Sequence, residues 1–160
     1  MPKVLVAYYS HTGNTKKMAE AVAGGVKASG VACDLREVGR VRPADLLKYE
    51  GIVFGSPTYY GILAAPVKKL LDQSVKYHGR LDGKVGAAFS SSALAGGGNE
   101  TTIISIIQAM LVHGMIIQGD ARSDHYGPVS IKYPDSRSLK KCERLGRRVA
   151  ELTGRLFPPS

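Results

Sequence analysis

Tryptophan is absent from this 160-residue sequence, and cysteine occurs only twice, at Cys33 and Cys142. The two cysteines lie far apart, and neither belongs to a Cys-x-x-Cys or Cys/His cluster, which excludes the usual signatures of zinc, iron–sulfur and redox-dithiol sites. We therefore expect no metal site and two buried, reduced thiols, as is usual in a reducing cytosol.

Long apolar runs are also absent, because no stretch approaches the roughly 18 residues that a membrane-spanning helix needs. The first residues, Met1 to Val4, lead directly into an apolar segment without the apolar region and cleavage site of a signal peptide. These features predict a cytoplasmic protein with no membrane insertion.

Negative charge is scarce, with 13 acidic residues against 22 lysines and arginines and a formal net charge of +9 at pH 7. Much of the excess lies in residues 136–155, where basic side chains interleave with apolar ones that recur every three or four positions. This pattern predicts an amphipathic helix, whose basic face is either solvated or attracts an acidic partner or nucleic acid. No nucleic-acid-binding motif is present, so the sequence favours the solvated face.

Strand patterns alternate with helical patterns along the chain, which predicts a three-layer α/β fold with a doubly wound parallel sheet. The first strand is a continuous apolar run, as expected when both faces of a strand are buried. Gly24 and Gly25 would weaken the first helix, and close packing against the sheet is the expected reason. We predict one domain over residues 1–160, with five strands at 4–9, 31–36, 51–55, 84–89 and 115–118, helices at 15–29, 63–76, 100–112 and 136–155, and a helical turn at 43–48.

The loop after the first strand, residues 10–15 (loop 1), places three hydroxyl side chains at the start of a helix. Ser10, Thr12 and Thr15 supply the hydroxyls, and backbone N–H groups converge at the positive end of the helix dipole. Such a loop is suited to hold a phosphate. It is not a Walker loop and lacks the Gly-x-Gly-x-x-Gly spacing. The alternative is a polar loop that only caps the helix.

Two more loops follow the third and fourth predicted strands, and both are unusual. Residues 55–61 (loop 2) contain adjacent tyrosines, Tyr59 and Tyr60, between glycines, which suits a wall for a flat aromatic ligand or a turn with one tyrosine folded back. Residues 90–99 (loop 3) contain three consecutive glycines, which allow close approach of a ligand, or simply a flexible connection. The three loops share one edge of the predicted sheet, where doubly wound folds bind ligands.

The motifs in these loops resemble a known family. Loop 1, Ser10-His11-Thr12-Gly13-Asn14-Thr15, is similar to the flavodoxin phosphate-loop signature [ST]-x-T-G-x-T. Loop 2, Gly55-Ser56-Pro57-Thr58-Tyr59-Tyr60-Gly61, resembles the G-[ST]-P-[TV] loop of the WrbA-like branch, the flavodoxin-like NAD(P)H:quinone oxidoreductases. The segments 96–102 and 113–115 are also similar to that branch, so the resemblance spans nearly the whole chain.

The resemblance implies a flavodoxin-like sheet with strand order 2-1-3-4-5, non-covalently bound FMN, and a homo-oligomer, either a dimer or a tetramer. The chain is shorter than many members between its second and third strands, and this difference counts against a tetramer. His113, Tyr59 and Tyr60 are implied as catalytic residues near the substrate opening. The implied cofactor-binding residues are Ser10, His11, Thr12, Gly13, Asn14, Thr15, Pro57, Thr58, Tyr59, Tyr60, Gly61, Ser90, Ser91, Ser92, Ala93, Gly96, Gly97 and Gly98.

The function that the resemblance implies is two-electron reduction of quinones by NAD(P)H, through hydride transfer to flavin N5. With no tryptophan and no aromatic residue in loop 3, one face of the flavin is left open for a nicotinamide or a quinone to stack. His113 would orient or protonate the quinone oxygen, or else simply bond to the last carbonyls of its helix. The alternatives are an electron carrier with a redox partner protein and a flavin-free interaction module.

Overall fold

A largely parallel β-sheet forms the centre of the protein in a computed structural model that describes residues 1–159. The strands in that part of the chain are β1 (Lys3–Tyr8), β2 (Ala32–Glu37), β3 (Gly51–Tyr59), β4 (Ile62–Leu63), β5 (Val85–Ser92), β6 (Ile116–Ile117) and β7 (Val129–Ile131). The α-helices are α1 (Asn14–Ala28), α2 (Ala65–Gln73), α3 (Asn99–Val112) and α4 (Ser136–Leu156). Three 3-10 segments lie at Val38–Arg40, Pro43–Lys48 and Ser74–Tyr77.

The sheet runs in the order β2-β1-β3-β5-β6, with β4 paired to the end of β3 and β7 to the end of β5. The parallel α/β sheet is confirmed, but the predicted number of five strands is wrong, because the described residues form seven. The predicted order is matched only along the main path. Since β4 and β7 have two and three residues, they are too short to show a strand pattern in the sequence.

Alternate residues of the central strands bury into two cores, one on each face of the sheet. Val4 and Val6 of β1 pack in the core that includes residues of α1 and α4, whereas Leu5 and Ala7 pack in the core that includes residues of α2 and α3. This arrangement explains why β1 reads as a continuous apolar run. The helices therefore cover the two faces of the sheet.

Helices α1 and α4 touch each other through two glycines. A Cβ atom built on Gly25 would lie 2.0 Å from the backbone oxygen of Glu143, and one built on Gly146 would lie 2.0 Å from that of Val22. The expectation that the glycines of α1 pack against the sheet is therefore wrong. Gly25 packs against the backbone of α4, and Gly24 has open space around it.

The basic helix α4 forms ion pairs with the segment that follows β6. Lys141 bonds to Asp124 at 2.6 Å, and Arg144 bonds to Asp120 at 2.7 Å. The hydrogen bond from Arg144 holds the pKa of Asp120 well below its usual value. Part of the excess positive charge is thus engaged within the fold. No helix within residues 1–159 combines the length and the apolar character needed to cross a lipid bilayer.

The two cysteines are free thiols, as expected, but only Cys142 is buried and Cys33 is half-buried. Desolvation by burial raises the pKa of Cys33 to about 11 and that of Cys142 to about 12. Both thiols are therefore protonated at neutral pH and are poor nucleophiles.

Candidate functional site

Loops 1, 2 and 3 meet at the carboxyl edge of the sheet. The strand register places Tyr8, the end of β1, beside Gly55, and Gly55 beside Phe89. From that level, β3 continues to Tyr59 and β5 to Ser92, whereas β1 stops. The ends of β3 and β5 therefore form a rim that extends about 10 Å beyond the end of β1.

This rim corrects the predicted boundaries of two loops. Pro57, Thr58 and Tyr59 belong to β3, and the three serines at positions 90–92 belong to β5. The sequence favours loops there because proline and clustered serines are typical of turns. In the structure, β4 and β7 supply the neighbouring strands that allow both segments to remain extended.

Loop 1 places a glycine, Gly13, as the N-cap residue of α1, in the left-handed conformation with φ 95°. Its N–H donates to the Ser10 hydroxyl at 3.1 Å, which fixes the turn. Because Gly13 has no side chain, the first turn of α1 has no side-chain cap. The N–H groups of that turn are therefore left for another acceptor. An anion is the acceptor that a helix N-terminus prefers.

The remaining residues of loop 1 have different environments. Thr15 is buried, and its hydroxyl lies 2.9 Å from that of Ser91, so it ties loop 1 to the end of β5. Asn14 is half-buried, whereas His11 and Thr12 are exposed. The backbone of loop 1 thus offers more free donors to a ligand than its predicted hydroxyls do.

Loop 2 ends in a tight hairpin turn between β3 and β4. Tyr60 and Gly61 occupy its two central positions with φ values of 47° and 82°, as a type I′ turn requires. Tyr59 packs edge-on against Tyr9, with ring centroids 6.1 Å apart. Burial, followed by the contact with Tyr9, raises the pKa of Tyr59. Tyr60 is fully exposed.

Loop 3 ends in a second glycine-capped helix start. Gly98 is the N-cap residue of α3, with φ 101° and no capping side chain. A Cβ atom on Gly98 would lie 2.7 Å from the Cα atom of Gly61, so loops 2 and 3 are in close contact there. Ser92 accepts a hydrogen bond from Asn99, which anchors the start of α3. Ala93 and the residues up to Gly96 are exposed, and Gly97 is half-buried.

A network of hydroxyl groups braces the rim. Thr102 donates to the Thr58 hydroxyl at 3.0 Å, and the Thr58 and Ser90 hydroxyls lie 3.1 Å apart. The Thr101 hydroxyl lies within hydrogen-bond distance of the backbone oxygens of both Gly61 and Gly98. The motif resemblance covers Asn99, Thr101 and Thr102, but none of the three was predicted to be a site residue. Their signal was the position of two threonines in the first turn of a helix, three and four residues after a glycine cap.

His113 lies at the opposite edge of the sheet from the three loops. It is the C-cap residue of α3, a helix of 14 residues that spans about 20 Å, and Ile116 pairs with Val85 at the beginning of β5. Its Nε2 atom lies 2.7 Å from the Ser74 hydroxyl. Burial and the nearby His78 lower its pKa. Within one chain, His113 is therefore not brought together with the other predicted residues.

The family profile described as a flavodoxin domain matches residues 5–113 of this chain. The chain belongs to the flavodoxin family. Among curated proteins, it is 32% identical to an NAD(P)H dehydrogenase (quinone) of Archaeoglobus fulgidus, over 98% of this chain and 100% of that protein. It is also 40% identical to a flavodoxin of Aquifex aeolicus, over 94% of this chain and 86% of that protein.

Among solved structures, this flavodoxin-family chain is similar to a WrbA-like flavodoxin from Agrobacterium tumefaciens. The TM-score is 0.82 at 26% identity, over 97% of this chain and 99% of that one. The resemblance to the WrbA-like branch is thus confirmed, and membership of the family makes FMN the cofactor.

The residues at the carboxyl edge fit that cofactor. FMN is an elongated molecule with a phosphate monoester at one end and a flat ring system at the other. The uncapped first turn of α1 suits the phosphate, because its N–H groups have no capping side chain. The exposed turn of loop 2 and the exposed residues of loop 3 offer a surface that suits the ring. One end of the site therefore offers N–H donors and the other offers exposed loops, which matches the phosphate and the ring of FMN.

Proposed function

We propose that this chain is an FMN-dependent oxidoreductase that uses NAD(P)H to reduce quinones in two-electron steps, as a single flavodoxin-like domain. The observation that carries the proposal is the open rim. Tyr60 is fully exposed and Leu94, in loop 3, is 67% exposed, so both loops present their side chains to solvent at this edge of the sheet. A relative of full length is named NAD(P)H dehydrogenase (quinone), which supports the same reaction.

The proposed cofactor contacts follow the two ends of the site. The backbone N–H groups of Asn14 to Lys16 would hold the phosphate, with the bond from the Gly13 N–H to the Ser10 hydroxyl fixing the turn beneath it. Pro57 to Gly61 would line one side of the ring, and Ala93 with Gly96 to Gly98 the other. The buried hydroxyls of Thr15, Ser90, Ser91 and Ser92 would keep these segments in place rather than contact the ring directly.

The chain's own contribution to the reaction is to bind, orient and stabilise charge. When bound, FMN supplies the electron chemistry, since its ring accepts two electrons from NAD(P)H and passes them to a quinone. The uncapped N-terminus of α3 directs N–H donors toward loop 3, where they would stabilise negative charge on the ring. The exposed ring of Tyr60 would guide a flat substrate into the open space beside it.

A homo-oligomer belongs to the same proposal. Val75 and Val112 flank His113, and they are 68% and 70% exposed. Exposed aliphatic side chains grouped in one area are typical of surfaces that another protein covers. Because His113 lies far from the loops of its own chain, any catalytic role for it would require such an assembly.

An electron carrier is the second candidate function, and the similarity to the Aquifex aeolicus flavodoxin favours it. A carrier would exchange electrons with a redox partner protein instead of taking them from NAD(P)H itself. The net charge of +9 would then attract an acidic partner.

Anaerobic assays with NADH, NADPH and benzoquinone distinguish these functions. We expect NAD(P)H to bleach the visible absorption of the FMN-loaded protein completely, and one quinone to restore it per molecule of NAD(P)H consumed. A protein that NAD(P)H leaves oxidised, but that photoreduction converts to a long-lived one-electron-reduced form, would be a carrier and would contradict the proposal.

A further inference from the structure

A basic groove lies beside loop 1, on the side of β2. It has a volume of about 490 Å³ and is lined by Tyr8, Lys16, Leu35, Arg36, Glu37 and Arg40. Tyr8 ends β1 and pairs in register with Glu37, which ends β2. The groove therefore opens at the same edge of the sheet as the proposed cofactor site, and it shares with that site only Lys16, whose backbone N–H would contact the FMN phosphate.

The groove concentrates positive charge that the fold leaves unpaired. Three cationic side chains and one carboxylate line it. Across residues 1–159, Lys16 and Arg40 form no ion pair within 4.0 Å, and Arg36 has only a 3.4 Å contact with Asp34. Because cations outnumber the single carboxylate in the lining, the groove would attract a bound anion with two negative charges. A phosphate monoester has that charge near neutral pH.

The walls of the groove add a surface for a ring. Tyr8 is half-buried and offers an aromatic face, and Leu35 offers an aliphatic one. Aromatic side chains stack on nucleobases, whereas guanidinium groups bind phosphates through paired hydrogen bonds. Cationic hydrogen-bond donors that bind phosphate, placed beside a stacking surface, suit a phosphorylated nucleoside better than a free inorganic anion.

The position of the groove matches the reach of a dinucleotide. β2 is two strands from β3, a lateral distance of about 10 Å at the usual strand spacing. Both regions lie at the carboxyl edge of the sheet, where doubly wound folds bind their ligands. Arg36 and Arg40 lie at the end of β2 and in the 3-10 segment that follows it.

We infer that this groove binds the adenosine 2′-phosphate of NADPH, and that Lys16, Arg36 and Arg40 make the protein prefer NADPH to NADH. This inference rests on the proposed use of NAD(P)H. Glu37 can accept a hydrogen bond from a ribose hydroxyl, and the remaining side chains keep the groove positive. NADH lacks the 2′-phosphate and therefore gains nothing from the three cations.

The test uses isothermal titration calorimetry. The FMN-loaded protein is titrated with adenosine 2′,5′-bisphosphate and, separately, with 5′-AMP. We expect the bisphosphate to bind at least about tenfold more tightly, and Arg40→Ala and Lys16→Ala each to remove most of that difference. Neither side chain has an ion-pair partner in the described chain, so both variants should fold. The matched control is Arg80→Ala, which removes an exposed arginine at the opposite edge of the sheet and should change nothing.

Steady-state kinetics separate this inference from the proposed function. We expect Arg40→Ala to raise KM for NADPH about tenfold and to leave KM for NADH and kcat unchanged. Equal use of both coenzymes by the native protein, with no effect of Arg40→Ala, would overturn the inference and leave the proposed function intact. If neither coenzyme reduces the protein, the proposed function fails, and the bisphosphate titration alone decides whether the groove binds a 2′-phosphate.

Discussion

Gly25→Ala is expected to destabilise the folded protein by about 2–3 kcal/mol, because the new methyl group would overpack the contact between α1 and α4. The added Cβ atom would lie 2.0 Å from the Glu143 oxygen and 2.8 Å from its carbonyl carbon. Both are backbone atoms of a helix, so no side chain can rotate away. The two helices would have to separate, and the buried residues around the contact would lose packing.

Gly24→Ala is the matched control, one position away in the same helix. Nothing lies within 4 Å of its added Cβ atom, and the exchange should stabilise the protein by about 0.5–1 kcal/mol through helix propensity. Urea unfolding of both variants at one FMN concentration measures the two free energies. Two variants that unfold at the same urea concentration would show that the helices do not touch at Gly25.

Gly98→Ala is expected to weaken FMN binding about 100-fold, because it strains the N-cap of α3 and separates loops 2 and 3. The residue has φ 101°, which an alanine rarely adopts, and its Cβ atom would lie 2.7 Å from the Cα atom of Gly61. Both loops line the proposed ring site. When FMN is bound, the variant would have to keep these loops in the arrangement that strains Ala at position 98. Quenching of FMN fluorescence measures the dissociation constant.

Gly79→Ala serves as the control for strain alone. Gly79 has φ 82°, has open space around its Cβ position, and lies at the other edge of the sheet. Its exchange should lower stability without changing the affinity for FMN. If Gly98→Ala also leaves FMN affinity unchanged, the contact between loops 2 and 3 does not shape the cofactor site.

Much of the fold could be predicted from the sequence because the central strands and the helices carry long patterns. The run from Val4 to Tyr8 and the basic periodicity of α4 are strong signals that local sequence alone provides. The pairing of β4 and β7 could not be predicted, since two or three residues carry no periodicity. The contact of Gly25 with α4 depends on a residue more than 100 positions away, and glycine gives no indication of its partner.

The meeting of the three loops at one edge of the sheet could be predicted, but their internal bonding could not. Loop 1 and the glycines of loop 3 are local motifs, and the structure brings them to one edge of the sheet. The bonds of Thr15 to Ser91 and of Thr102 to Thr58 link distant segments, so the sequence could not show that these hydroxyls are already paired. His113 lies far from the loops because α3 is long and runs away from them. The length of this helix can be predicted from the sequence, but its direction is seen only in the structure.

The central claim is that the uncapped first turn of α1 binds the phosphate of FMN. The most direct test compares the affinity of the apoprotein for FMN and for riboflavin, which has the same ring but no phosphate. Charge-assisted hydrogen bonds from several N–H groups should make FMN bind about 1,000-fold more tightly. Equal affinity for the two ligands, or no binding of FMN at all, would contradict the claim and the function built on it.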